Sequence, residues 1–329
     1  MEDQNLLGSE IRQDYRNGFY SIMTLGRSKR PKGLEEETIE TMDISNCPFE
    51  RANDSMTTDI MRYGGPWQIK VIQNKYPELS GNTPFGETVD KDGLLTHIGG
   101  YGYNEVVIES PVHTEIFEAF SPEKLIDWLN VIIDREETLY ARPYIKYVQV
   151  FKNYGVIGGA SLGHPHTQII AWPVLIGLIK KELDISKSYR QTNGTCLYEK
   201  IYDIEKGRVL IDNNSFFAIA PFGSRITAES MIVPKRHVSY AGELSSVEKY
   251  DFISILKTVL LTNRKLYGNQ AYNFTIHEIK GDPDFHMHLE IYPRLSTMAG
   301  IELGENVFVN TVIPEEYAEE FRNSLKNSD

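Results

Sequence analysis

Cysteine is nearly absent, with two in 329 residues, Cys47 and Cys196. One bridge is the most they could form, so this is not a small fold stapled by disulfides. Long apolar runs are missing too: no stretch approaches the roughly 20 residues that a membrane-spanning helix needs. The polar opening Met1-Glu2-Asp3-Gln4-Asn5 is not that of a secretory signal, and a cytoplasmic location with no membrane partner is the expectation. Nor is there an excess of positive charge. Lys and Arg number 34 against 46 Asp and Glu, a net charge of −12, which speaks against a nucleic-acid partner. An acidic protein that binds a small anion needs a local basic cluster. Arg27-Ser28-Lys29-Arg30-Pro31-Lys32 is a candidate, although charge alone reads it as a solvated basic turn.

What is present is a pattern that occurs twice. Strand-like Glu105-Val106-Val107-Ile108-Glu109 leads into Ser110-Pro111-Val112-His113. A helix follows, with Ser121 as N-cap, Pro122 at its first position, and Leu125, Trp128, Leu129, Ile132 and Ile133 at helical spacing. Then come a strand, Tyr147 to Phe151, a Gly-rich connection, and His164-Pro165-His166. The second passage has strand-like Ser230-Met231-Ile232-Val233 before His237 and a capping box from Ser245 to Glu248. It continues with Tyr272-Asn273-Phe274-Thr275-Ile276-His277 and ends on His286-Met287-His288. His113 and His164 are 51 positions apart, His237 and His286 are 49 apart, and each half has an upstream Cys-x-x-Glu, Cys47 to Glu50 and Cys196 to Glu199. Such agreement in order predicts two related α+β halves, mainly antiparallel with flanking helices: residues 1–190 and 191–329, with the polar stretch 186–193 as linker.

Seven of the eight histidines fall on these motifs. A lone histidine is usually structural, but such clustering is not. On a strand, residues i, i+2 and i+4 share a face, which groups His164, His166 and Gln168, and likewise His286, His288 and Glu290. Zinc takes Cys, His and carboxylate ligands. The first half offers Cys47, Glu50, His113 and His164; the second offers Cys196, Glu199, His237 and His286. The bland alternative is a pair of decayed sites with merely buried cysteines.

His166 invites another role. A neutral imidazole can attack phosphorus and form a phosphoramidate that a second nucleophile resolves. Groups must then receive charge on the phosphoryl oxygens. Gln168 lies on the same face, and Gly158, Gly159 and Ser161 precede it, glycine letting backbone N–H groups approach a phosphate. In the second half Glu290 takes the place of Gln168. A carboxylate repels phosphate, so that half reads as structural.

With these residues in view, Phe151-Lys152-Asn153-Tyr154-Gly155 and Gly159-Ala160-Ser161-Leu162-Gly163-His164-Pro165-His166-Thr167-Gln168 resemble the galactose-1-phosphate uridylyltransferase family, a branch of the histidine-triad superfamily. The likeness extends through Arg27–Pro31, Val71–Pro77, Glu109–His113, Phe285–Arg294 and Ala299–Gly304. It implies a tandem pair of histidine-triad-like halves, a homodimer, and ping-pong transfer through a nucleotidyl group on His166. The substrates would be a nucleotide sugar and a hexose 1-phosphate. Gln168, Ser161 and Gly159 would hold the phosphate, with Arg27, Asn74 and Asn153 on nucleotide or phosphate. Glu302 would meet the sugar hydroxyls, across a dimer interface as in the family. His164 would anchor zinc. For the second metal the family implies two sets: one on Cys196, His237 and His286, which mirrors the Cys47 site, and one on Glu182, His277, His286 and His288, holding Fe or Zn. The family's CxxC pairs are CxxE here, and Ile301 stands where some members carry an aromatic.

A phosphorylase acting on ADP-glucose or a dinucleoside polyphosphate would use the same histidine, so the reactive motif does not separate it from a transferase. A catalytically silent nucleotide-binding scaffold is a third reading, favoured by the CxxE changes and opposed by the intact His166, Gln168, Ser161 and Asn153.

Overall fold

The computed structural model describes residues 9–24, 44–90 and 92–327. In chain order the strands are β1 (Glu10–Gln13), β2 (Tyr20–Met23), β3 (Asp59–Tyr63), β4 (Ile69–Gln73), β5 (Glu87–Val89), β6 (Thr96–Ile98) and β7 (Tyr103–Ile108). Helix α1 (Pro122–Tyr140), strands β8 (Tyr147–Tyr154) and β9 (His166–Trp172), and helix α2 (Gly177–Asn193) follow. Beyond them lie α3 (Tyr198–Ile204), β10 (Val209–Asp212), β11 (Phe216–Ile219), β12 (Ser230–Pro234), α4 (Ser246–Tyr267), β13 (Tyr272–His277) and β14 (His288–Pro293). The chain closes with α5 (Gly300–Glu305), β15 (Val307–Asn310) and α6 (Pro314–Lys326).

The helix signals read from sequence are realised atom by atom. Ser121 Oγ accepts the Lys124 N–H at 3.2 Å, and Pro122 opens α1. At α4, Ser245 Oγ accepts the Glu248 N–H at 3.3 Å while the Glu248 carboxylate accepts the Ser245 N–H at 2.8 Å. Each device satisfies amides that have no partner inside their helix.

Ten strands form one antiparallel sheet in the order β10-β11-β12-β14-β13-β8-β9-β7-β4-β3. The two halves meet at its centre, where β8 pairs with β13 in the register Asn153↔Asn273 and Phe151↔Thr275. The order of elements β7-α1-β8-β9 in one half is repeated as β12-α4-β13-β14 in the other. The expected α+β fold, antiparallel with flanking helices, is present.

Strand alternation gives the sheet two different faces. Val148, Val150, Ile169 and Ala171, with Phe274, Ile276, Leu289 and Ile291, point to one side and are buried against Trp128, Leu129 and Ile132 of α1 and Phe252, Leu256 and Val259 of α4. Burying each such side chain is worth about 1.5–3 kcal/mol. The opposite side carries His166, Gln168, Asn153, Asn273, His277, His288 and Glu290, so the chemistry of both halves lies on one face.

One expectation needs correction. Residues 186–193 are not a linker but the last turns of α2, in which Glu182, Leu183 and Ser186 are buried. The helix stops at Gly194, whose φ of 74° is left-handed, with its N–H on the Arg190 carbonyl at 2.8 Å. Polar composition suggested a solvated connection, whereas tertiary contacts made a helix that delivers Glu182 to the sheet.

Candidate active site and metal centres

The segment His164-Pro165-His166 sits where β9 begins, beside the end of β7. His164 lies just ahead of the regular strand. Its Nε2 donates to the Ser110 carbonyl at 2.7 Å. A carbonyl cannot donate, so this bond sets the tautomer and leaves Nδ1 with a lone pair. That Nδ1 stands 3.6 Å from Cys47 Sγ. His113 packs edge-on to His164 with ring centroids 5.2 Å apart. Neither ring nitrogen of buried His113 has a hydrogen-bond partner among the described residues. Cys47, His113 and His164 thus bring three ligand atoms within 4.8 Å of one another. An orphaned buried imidazole beside a thiol and a second imidazole fits zinc chemistry. Glu50 is alongside, its carboxylate 4.0 Å from His164 Nδ1 and accepting the His113 N–H at 2.7 Å.

The second half repeats this construction. His286 Nε2 donates to the Pro234 carbonyl at 3.0 Å, and its Nδ1 is 3.6 Å from Cys196 Sγ. His237 completes the group, again with both ring nitrogens unpartnered among the described residues. Glu199 is exposed in the first turn of α3 and lies outside the group. Burial pushes both thiols up; a bound cation would reverse that.

A third cluster holds Glu182, His277, His288 and Glu290, all buried. Of the alternative set Glu182, His277, His286 and His288, the structure brings together all but His286, which faces Cys196, and Glu290 stands in its place. His277 Nδ1 is 2.7 Å from the Glu182 carboxylate, and desolvation is outweighed by Glu182 and Glu290, so its pKa is raised. Glu290 is also gripped by Arg16 and, at 2.7 Å, by Arg225. Those two guanidiniums hold its carboxyl well below the usual range despite burial.

His166 is the counterpart of His288. Its Nδ1 donates to the His164 carbonyl at 2.8 Å, which leaves the Nε2 lone pair free. Burial, and then the ammonium of Lys152, hold its pKa down to about 4, so the ring is neutral at ordinary pH. Gln168 is half-buried on the same face. Gly158 cannot be replaced: a Cβ there would meet the Tyr154 carbonyl oxygen at 2.2 Å. Gly159, at φ 84°, is exposed next to exposed Ser161. Asn153 Oδ1 accepts from Asn273 Nδ2 at 2.8 Å, and the Asn74 side chain closes its own turn onto the Tyr76 N–H at 2.9 Å. Glu302 accepts the Ala299 N–H at 2.8 Å and lines a cavity of about 200 Å³ with Arg225, Asn273, Tyr292, Arg294 and Phe308. Arg27 and the rest of its basic cluster lie outside the described residues.

Sequence reading missed the charges beneath the start of β9. Lys152 Nζ is 2.7 Å from the Glu109 carboxylate and 2.9 Å from the His166 carbonyl, with all three residues buried. The signal was available: Val148, Val150 and Lys152 alternate inward on β8, and a lysine at such a position needs a partner.

A tandem antiparallel fold with one face of paired histidines, of which one half alone keeps His-x-His-x-Gln, defines the class of histidine-triad-like nucleotidyltransferases. The chain belongs to the galactose-1-phosphate uridylyltransferase family. The description "Galactose-1-phosphate uridyl transferase, N-terminal domain" matches residues 3–175, and a domain of unknown function, DUF4921, matches residues 118–328. The ADP-glucose phosphorylase of Arabidopsis thaliana is 32% identical over 326 residues, spanning 95% of this chain and 92% of the relative. The galactose-1-phosphate uridylyltransferase of Thermotoga maritima is 29% identical, spanning 78% of this chain and 84% of its own. Among solved structures, the Arabidopsis ADP-glucose phosphorylase with bound ADP-glucose has a TM-score of 0.82 at 30% identity, covering 96% of this chain and 99% of that one. A uridylyltransferase structure has a TM-score of 0.77 at 26% identity, covering 97% and 99%. No helix among the described residues is long and apolar enough to cross a membrane.

Proposed function

We propose that the protein moves a nucleoside monophosphate from a nucleotide sugar to a phosphate-bearing acceptor through a covalent adduct on His166. The observation that carries this is the bond from His166 Nδ1 to the His164 carbonyl, which presents a neutral Nε2 on the face shared with Gln168. In the first step Nε2 attacks the α-phosphorus, and the bond from phosphorus to the bridging oxygen breaks, releasing a sugar 1-phosphate. The His164 carbonyl steadies the imidazolium that forms. In the second step a phosphate oxygen of the acceptor attacks the same phosphorus and frees Nε2. Gln168, Ser161 and the Gly159 N–H would donate to the phosphoryl oxygens, with Asn153, Asn74 and Arg27 toward phosphate or nucleotide.

Two acceptors fit this chemistry. A hexose 1-phosphate makes the protein a uridylyltransferase; inorganic phosphate makes it a phosphorylase of ADP-glucose or a dinucleoside polyphosphate. The long match to an ADP-glucose phosphorylase favours keeping the second reading beside the first. Glu302 would meet the sugar hydroxyls from a second copy of the chain, a homodimer supported by exposed Met298, Ile301 and Leu303 around it. Zinc would be held by Cys47, His113 and His164 with Glu50 alongside, and by Cys196, His237 and His286. It would supply rigidity, tying the loop before β9 to the residues that follow β7. The alternative for the second metal is the Glu182, His277 and His288 cluster, which would take Fe or Zn in place of the Cys196 site. The halves 1–190 and 191–329 would then divide the work, catalysis in the first and support in the second. Buried free thiols at Cys47 and Cys196 support a reducing, cytoplasmic setting.

The test is intact-mass measurement of purified protein after incubation with UDP-glucose, ADP-glucose or a diadenosine polyphosphate, without acceptor. A nucleoside-monophosphate adduct, lost in His166→Ala, is expected and names the base. Hexose 1-phosphate or inorganic phosphate is then added to see which removes it. No adduct with any donor would support the silent scaffold instead.

A further inference from the structure

The two halves serve as controls for one another, because their ladders match residue to residue. Phe151 pairs with Gln168 and Thr275 with Glu290, while Ile108 pairs with His166 and Ile232 with Leu289. With His166 matched to His288, these registers match Lys152 to Ile276 and Thr167 to Leu289, and Glu109, one residue past its ladder, falls at Val233–Pro234. In the half that carries Glu290 all three positions are apolar. In the half that carries Gln168 they are a lysine, a threonine and a glutamate, no more than 1% exposed.

Those three side chains bind one another and the reactive segment. Lys152 Nζ donates to Glu109 at 2.7 Å and to the His166 carbonyl at 2.9 Å. Thr167 Oγ1 donates to the other Glu109 oxygen at 2.5 Å and accepts from Trp128 Nε1 at 3.2 Å. The Glu109 N–H donates to the Pro165 carbonyl at 3.1 Å. Three consecutive residues, Pro165, His166 and Thr167, are therefore tied to one ion pair. The pairs of the β8–β9 ladder end at Phe151↔Gln168, so the His166 carbonyl lies beyond them.

Fold stability gives no reason for this arrangement. Taking an ammonium and a carboxylate out of water is costly, and apolar side chains of similar volume often serve as well or better. Ile276, Leu289 and Val233–Pro234 demonstrate that the same module closes with hydrocarbon at these positions. The ion pair accompanies only the half whose histidine has a glutamine two residues on.

We propose that Lys152 and Glu109 are positioning residues for His166: Glu109 holds the ammonium, and the ammonium holds the His166 carbonyl so that Nε2 faces phosphorus at the required angle. Neither touches substrate. The inference rests on His166 being the nucleophile.

The test compares wild type, Lys152→Met and the double variant Lys152→Met/Glu109→Gln in single-turnover adduct formation, using whichever of UDP-glucose and ADP-glucose labels the wild type. Lys152→Met leaves a buried carboxylate alone and loses both melting temperature and rate. The double variant removes both charges, so its melting temperature returns toward wild type. Its rate of adduct formation stays roughly 10- to 100-fold down, the cost of a nucleophile displaced by about an ångström, with donor affinity unchanged. A purely structural pair would recover rate together with stability. A double variant that labels at the wild-type rate, or one whose whole loss lies in donor affinity, overturns the proposal. If Lys152→Met alone does not fold, the double variant still decides. Wild type that forms no adduct with any donor overturns the nucleophile reading and this inference with it; a wild-type rate in the double variant overturns only the latter.

Discussion

The main-chain carbonyl of His164 stands 2.8 Å from Nδ1 of His166. The same bond joins the His286 carbonyl to His288 Nδ1 at 3.0 Å. One geometry therefore prepares an Nε2 without a hydrogen bond in both halves, and the two rings differ in what surrounds them: Gln168 and Lys152 near His166, Glu182 and Glu290 near His288.

That bond and the burial around it predict how adduct formation depends on pH. His166 is held neutral down to about pH 4, so the rate should be level from pH 8 to 6 and decline only toward 4. Single-turnover labelling measures it; a rate that halves near pH 6.5, the ordinary histidine value, would contradict the burial argument. Stability responds to the same burial. His164 and His288 are likewise lowered to about 4, and His286 to about 3. Unfolded histidines take protons near 6.5, so between that pH and 4 the unfolded state binds more protons than the folded one. The contribution of these four histidines is complete above 6.5 and falls as acid is added through this window, while His277, whose pKa is raised, acts in the opposite sense.

Gln168→Glu should make the first half resemble the second. A carboxylate two residues after His166 repels the phosphoryl oxygens where an amide would donate. Labelling should drop about 100- to 1,000-fold, the range for losing a donor aimed at developing charge, with the melting temperature nearly unchanged. A variant that labels at half the wild-type rate would remove Gln168 from the phosphate site.

Glu290→Gln should do the reverse, costing stability and not chemistry. Arg16 and Arg225 both lean on this carboxylate, and breaking a buried ion pair from one side costs about 3–5 kcal/mol. Urea denaturation should register that loss while the adduct on His166 still forms. Unchanged stability would mean that Asp14 and Glu229, which also contact Arg16, suffice.

Cys47→Ser and Cys196→Ser should each lower bound zinc by one equivalent per chain, as read by elemental analysis. Only Cys47→Ser should slow labelling, because His164 lies two residues before His166, whereas Cys196 serves the half without Gln168. Equal slowing by both variants would mean that the second centre acts through the shared sheet.

Much of this was legible beforehand. The helix caps at Ser121 and Ser245 depend on neighbours three residues away, so local sequence is enough to show them. The repeat was visible because order and spacing survive even where residues diverge. Three features were not visible. The polar stretch 186–193 looked like a linker, yet α2 runs through it because Leu183 and Ser186 find cover that lies distant in the chain. His286 could be assigned to either metal set until its ring was seen to face Cys196. Lys152 and Glu109 are 43 positions apart, and nothing local says that they touch.

The sequence by itself determined the chemistry on offer: which half keeps His-x-His-x-Gln, where thiols and imidazoles recur, and that the two halves are built alike. These follow from residue type and period, which backbone geometry translates directly into faces and turns. The tertiary structure alone decided which groups share a site and in what charge state. His166 is neutral because it is buried beside Lys152, and Glu290 is charged because Arg16 and Arg225 converge on it. Desolvation and Coulomb interaction act through space, between residues that the chain keeps far apart.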